Sequence, residues 1–436
     1  MKNSKKLLFV SNLLLITSFL NAQHFISATE MGNRNISKVQ ANLNWLGWDT
    51  STMTLNAVKS YKILYNTTDV HGNPTIASGA LYVPQTSCNT MPLISWQHGT
   101  VFQKSDVPSN KYNKGTGLLY SGNGYITTMP DYLGMGDNPG IHPYIHSESE
   151  ATASINLIRA AREFLRDSLQ IRDNNQLFLA GYSQGGHSTM AVHKYIKIND
   201  LQSEFNVIAS APMSGPYALS IEQFDLIFDK DSSYYMSLFL PYAMASYQLV
   251  YGNLYTNYND CYDTPYDSLI ASWLAPGGKW NALPVNYYEF MQDSVISNIQ
   301  NKPDHPINVA LRKNDLHNWL PLEPVRMLYC GMDSMVAPQN AITALNTMNA
   351  LGAPDVKAID LDPNGDHGTC VSPSLTYALD WFDSLKVECQ MVISTPYQEK
   401  QPELSLFPNP VKDRATVFSE AITSTIPGKR NRQINY

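Results

Sequence analysis

The sequence predicts an α/β protein: a mostly parallel eight-stranded sheet with helices on both faces and an inserted helical cap. Three observations point there. From about Ala57 to Ser384, apolar β-type runs alternate with segments of helical period, the pattern of parallel strands joined by crossover helices. The alternation breaks once, over about 215–320, a stretch of helical tendency with eleven tyrosines between Tyr234 and Tyr288. Without that insert, the 57–386 region has the size of a single α/β domain, about 250 residues or less.

The elements follow in chain order. Lys2, Lys5 and Lys6 precede the apolar run Leu7 to Leu20, and Ala22 offers a small residue before Gln23, which is the grammar of an export signal over 1–22. That run is shorter than the roughly 20 apolar residues needed to cross a bilayer, and no later run approaches that length, so no integral membrane segment is expected. A single α/β domain carrying the inserted cap is expected over 23–392. Ala57 to Thr67 and Pro74 to Val83 read as a hairpin around Gly72-Asn73. Leu93 to Gln97, Tyr125 to Met129, Gln176 to Ala180, Val207 to Ala211, Val325 to Cys330 and Val356 to Leu361 complete the eight strands. Between them, Ala151, Ile155, Ile158, Ala161 and Leu165 recur at helical spacing, as do Ala341, Ala344 and Met348, and both sets read as core-facing stripes. Past Cys389 the chain turns polar and proline-containing, a linker signature over 393–403 that leaves a tail at 404–436.

Composition narrows the partners. Charged residues are 15% and hydrophobic residues 43%, which places the chain among globular proteins rather than disordered ones. A net charge of −7 gives no general attraction to phosphates, so nucleic acid is not an expected partner. The five cysteines, Cys88, Cys261, Cys330, Cys370 and Cys389, allow at most two disulfides and leave one thiol over, in a pairing that spacing does not select.

The chemistry centres on Gln176-Leu-Phe-Leu-Ala-Gly-Tyr-Ser-Gln-Gly-Gly186, an apolar strand running through G-x-S-x-G into a helical segment. This is a nucleophile elbow, with Ser183 on a sharp strand-to-helix turn and Gly181 and Gly185 where neighbouring chains leave no room for Cβ. Without a catalytic role the same string would be only a glycine-rich turn. A serine hydroxyl needs a base and an orienting acid, in the chain order Ser, Asp or Glu, His. Asp333 follows the Val325 strand and is the expected acid, with Asp362 and Asp366 as substitutes. His367 lies in the loop after the last strand, beside Gly368, and is the expected base. An oxyanion hole needs two donors: the backbone N–H of Gln184 and that of Thr100 in Trp96-Gln-His-Gly-Thr100, with Val101 as the alternative. His98 is expected to position that turn.

These motifs resemble the α/β-hydrolase superfamily, over roughly residues 57–386, and within it the secretory lipases and esterases. Met129-Pro-Asp-Tyr-Leu-Gly-Met-Gly136 is similar to the P-D-Y-x-G element of that group, although Asp131 and Tyr132 read equally well as a buried turn network. The resemblance implies a Ser-His-Asp hydrolase with a helical cap, needing no cofactor and acting on a small-molecule or lipid ester. The alternatives are a serine peptidase of prolyl-oligopeptidase type and an inactive hydrolase fold used for surface binding. Leu404-Ser-Leu-Phe-Pro-Asn-Pro-Val-Lys-Asp413 resembles the opening of the C-terminal sorting domain of type IX secretion, here truncated; it implies the secretion machinery as a partner and an extracellular or cell-surface location in a Gram-negative bacterium.

Two further patterns carry less. Gly134-Met-Gly136 lacks the following G-K-[ST] of a phosphate loop. His142, His146, Glu148 and Glu150 have helical metal-ligand spacing, but Pro143 interrupts them, and Ser147 to Glu150 reads instead as a capping box opening the next helix.

Overall fold

The computed structural model describes residues 23–110, 114–228, 238–275, 278, 283–388, 405–407 and 416–418. The expected export signal, 1–22, and linker, 393–403, lie outside the described residues. The chain divides into two units, 1–389 and 390–436. Of the expected sorting-type tail, only two short strands are described, Ser405–Phe407 and Thr416–Phe418, paired antiparallel.

The first unit is built on nine strands: β1 (Phe25–Arg34), β2 (Ala57–Thr68), β3 (Pro74–Gln85), β4 (Thr90–Gln97), β5 (Ile126–Pro130), β6 (Arg172–Tyr182), β7 (Val207–Met213), β8 (Val325–Tyr329) and β9 (Val356–Asp360). Their order in the sheet is β1-β2-β3-β5-β4-β6-β7-β8-β9. From β5 onward neighbours run parallel, whereas β1, β2 and β3 are antiparallel to theirs. The sheet thus has nine strands, correcting the expected eight. The added strand, β1, is an edge strand that leaves much of its length half-buried or exposed, so its sequence carries no continuous apolar run of the kind that marked the others.

Eight of these strands coincide with the apolar runs, and the central ones, β4 to β7, are buried on both faces over most of their length. The β2–β3 hairpin turns at Gly72 (φ 81°), and the Asp69 carboxylate accepts from the backbone N–H groups of His71 and Asn73 to close it. One face is covered by α3 (Ser147–Phe164), α4 (Gln184–Ile198) and α10 (Gln339–Ala350), through residues such as Ile155, Ile158, Met190, Ala344 and Met348. The other carries α1 (Ile36–Trp45), α2 (Lys114–Gly122) and α11 (Val371–Leu385), through Leu43, Leu119, Leu379 and Phe382.

Between β7 and β8 run α5 (Phe224–Phe228), α6 (Phe239–Tyr251), α7 (Tyr266–Leu274), α8 (Asp293–Asn301) and α9 (Pro306–Lys313). They share a third apolar cluster that includes Leu240, Tyr247, Tyr262, Trp273 and Phe290. Much of the tyrosine richness of this segment is therefore its own core. Cys330 and Cys370 form a disulfide, Cys88 is also disulfide-bonded, and Cys261 is a buried free thiol. Among the described residues, no helix is long and apolar enough to cross a membrane.

Candidate active site

The parallel order puts the carboxyl ends of β6, β8 and β9 on one edge of the sheet, and each end carries one of the chemical groups. β6 lies between β4 and β7, with Gly181 paired to both Gln97 and Pro212. The chain then turns sharply into α4 at Ser183, whose backbone has φ 62° and ψ −121°. That conformation is strained for a residue with a side chain, at a cost of order 1–3 kcal/mol, and its neighbours enforce it. A Cβ at Gly185 would run into the carbonyl of Gln97, and one at Gly186 into the carbonyl of Met213. Only glycine lets the turn close against the adjacent strands.

Ser183 Oγ lies 3.0 Å from His367 Nε2, and His367 Nδ1 lies 2.6 Å from Asp333 Oδ2. With Nδ1–H donating to the carboxylate, Nε2 keeps its lone pair and accepts from the serine hydroxyl. The second oxygen of Asp333 accepts from the N–H groups of Met335 and Val336, at 3.0 and 2.8 Å, which fixes the carboxylate plane. All three side chains are nearly buried. Asp362 and Asp366 are occupied elsewhere: Asp362 accepts from Asn364 N–H, and Asp366 from the N–H and hydroxyl of Thr369, bonds that hold its carboxyl below the usual range.

The loops bearing the acid and base are tied together. Gly331 N–H donates to Asp362 O and Met332 N–H to Gly365 O, while the Cys330–Cys370 disulfide anchors each loop three residues from its functional side chain. Tyr182 adds a brace that the sequence did not suggest, its hydroxyl donating to His367 O at 2.6 Å.

The two expected oxyanion donors lie beside the serine. Gln184 opens α4, whose N-terminus favours developing negative charge. The β4 loop approaches from the other side, so close that a Cβ at Gly99 would stand 3.7 Å from Ser183 Cβ. The next residue, Thr100, is held through its hydroxyl, 3.1 Å from Tyr144 Oη. His98 is fully buried, with Nδ1 on Gly99 O and its own carbonyl accepting from Tyr132 Oη; burial pushes the imidazole down to about 4. It therefore shapes this turn as a neutral ring. Asp131 accepts from Ser78 Oγ and Ser109 N–H, a buried turn network.

The capping box expected at Ser147 to Glu150 does not form. Ser147 Oγ donates to Asn314 Oδ1, and the Glu150 side chain reaches Gln184 and His187 instead, because those buried donors have no water to turn to. No group of three metal-ligating side chains occurs among the described residues.

Beside Ser183 and Gln184 opens a cavity. Its walls are largely apolar, with Leu219, Phe224, Phe239, Leu240, Ile307 and Val336 among them, and among the described residues none of its lining side chains carries a formal charge.

Solved structures with this architecture include the rice cell wall degrading esterase LipA of Xanthomonas oryzae, 26% identical, with 84% of this chain and 98% of LipA covered at a TM-score of 0.74. The chain has the α/β-hydrolase fold. A candidate hydrolase of Legionella pneumophila matches at 26% identity and a TM-score of 0.75, covering 83% of this chain and 98% of its own. Candida antarctica lipase A, 15% identical over 84% of each chain at a TM-score of 0.60, shares the fold. No family model and no curated protein sequence matches the chain. LipA is an esterase, and this likeness supports carboxylic ester hydrolysis at a general level.

Proposed function

We propose that the protein is a serine carboxylic ester hydrolase. Ser183 attacks the ester carbonyl while His367 Nε2 takes its proton; Asp333 holds the imidazole in the required tautomer and offsets the imidazolium charge. The tetrahedral oxyanion is received by the backbone N–H groups of Gln184 and Thr100. His367 then protonates the leaving alcohol, and water, activated by the same ring, releases the acid from the acyl-enzyme. The observation that carries this reading is the hydrogen-bonded chain Ser183–His367–Asp333, with Ser183 lining a largely apolar cavity that has no charged side chain among its described residues. An acyl chain gains about 25 cal/mol per Å² buried there, whereas a peptide amine would find no counter-charge among the described residues of its walls.

The neighbouring LipA is a cell wall degrading esterase, and the same bond class is proposed here. The basic and apolar start of the chain and its type IX-like tail lead us to propose an exported protein. A fluorophosphonate probe should label Ser183, and Ser183→Ala should abolish labelling and turnover. On nitrophenyl esters from acetate to octanoate, kcat/KM should rise as short chains lengthen. Undiminished labelling of Ser183→Ala, or efficient cleavage of prolyl amides with little ester activity, would overturn the reading.

A further inference from the structure

Behind the nucleophile lies a buried polar cluster that the catalytic scheme leaves unused. Glu150, in the first turn of α3, is fully buried, yet both its oxygens are engaged by the first turn of α4: Oε1 accepts from Gln184 Nε2 at 2.9 Å and Oε2 from His187 Nδ1 at 2.8 Å. The second hydrogen of Gln184 Nε2 points to His142 Nε2 at 2.7 Å. That ring donates through Nδ1 to Leu133 O at 2.8 Å, and burial pushes it down to about 3, so its Nε2 carries a lone pair and accepts. Reversing the Gln184 amide would set its oxygen against a carboxylate and a lone pair, so one orientation is enforced. On the far side, His187 Nε2 faces Asn314 O at 3.2 Å. Each ring nitrogen of His187 thus has an oxygen opposite, Glu150 Oε2 on one side and Asn314 O on the other.

We propose that Gln184, Glu150 and His187 form a positioning network for the oxyanion hole. Gln184 and His187 stand one helical turn apart, and gripping one carboxylate at both points fixes the rotation of the first turn of α4. The same residue whose side chain is held contributes the backbone N–H that must meet the developing oxyanion, where displacement by about an ångström can cost on the order of 100-fold. These three are positioning residues, acting on the reaction through the Gln184 peptide.

The inference rests on Ser183 as nucleophile and Gln184 N–H as oxyanion donor, and the test separates the two. Gln184→Leu keeps the backbone donor and the side-chain bulk but removes both side-chain hydrogen bonds; Glu150→Gln removes the carboxylate. In each, kcat on a nitrophenyl ester should fall about 10- to 100-fold with KM changed less than about threefold, and inhibition by an alkylboronic acid, which mimics the tetrahedral adduct, should weaken by the same factor as kcat. If Glu150→Gln fails to fold, Gln184→Leu, which retains the Glu150–His187 pair, decides the matter. A folded Gln184→Leu with unchanged kcat and boronate affinity, or with a loss confined to KM, would overturn the network while leaving Ser183 in place. Failure of the unaltered enzyme to react with a fluorophosphonate at Ser183 would remove the underlying reading as well.

Discussion

Single side chains set the chemistry through their hydrogen-bond partners. His367 serves as base only while Nδ1–H is held by Asp333 Oδ2, and the other Asp333 oxygen already accepts two backbone donors. An amide at 333 would favour the wrong tautomer, so Asp333→Asn should lower kcat by roughly 10³- to 10⁴-fold. His367→Ala should cost at least as much, and the double variant little more than the worse single one, since the three groups act as a unit; multiplicative losses in steady-state kinetics would contradict this. The buried neutral histidines have a consequence for stability. Burial lowers His98 and His146 to about 4 and His142 to about 3, from about 6.5 in the unfolded chain. Between pH 6.5 and 4 the unfolded chain therefore binds protons that the fold refuses. Stability is full above pH 6.5 and lost as pH falls, by up to about 1.4 kcal/mol per pH unit for each ring, part of it offset by Asp131 and Asp315, which burial raises. Urea midpoints should drop across that window, and His146→Gln should flatten the slope by about one proton.

At the scale of elements, the site depends on three loops at the carboxyl ends of β6, β8 and β9 keeping their spacing. The elbow achieves this by crowding, with glycine at 181, 185 and 186 where a Cβ would strike neighbouring backbone. The acid and base loops achieve it by covalent and hydrogen-bonded ties. Closing a loop of 40 residues in sequence, the Cys330–Cys370 disulfide restricts the unfolded chain by about 4 kcal/mol in the chain-entropy account. Replacing both cysteines with alanine should lower stability by about 2–4 kcal/mol in denaturant titrations, and kcat should fall at temperatures where the variant is still folded, because the Asp333–His367 distance is no longer pinned. Loss of stability with wild-type kcat would show that the backbone bonds between the loops suffice.

Across the whole molecule, every chemical group lies in the first unit, between Gly99 and Gly368, so the tail from Leu404 should be dispensable for catalysis. A chain ending at 392 should keep wild-type kcat/KM and change only in export; unfolding of that shorter chain would make the tail part of the core. The sequence by itself marked eight of the strands and the strand–turn–helix elbow, and it named Ser183, Asp333 and His367, which the structure places in one hydrogen-bonded chain, because these signals are local: apolar runs, a glycine pattern around one turn, and positions just past strand ends. It did not reveal β1, whose edge position removes the apolar signature, nor the partner of Glu150, which local spacing assigned to a helix cap. The pairing of Cys330 with Cys370, the bond from Tyr182 to His367 O, and the meeting of Glu150 with Gln184 and His187 were decided only by the tertiary structure. Each joins residues far apart in the chain that the packing of separate elements brings together, a condition that no short window of sequence encodes.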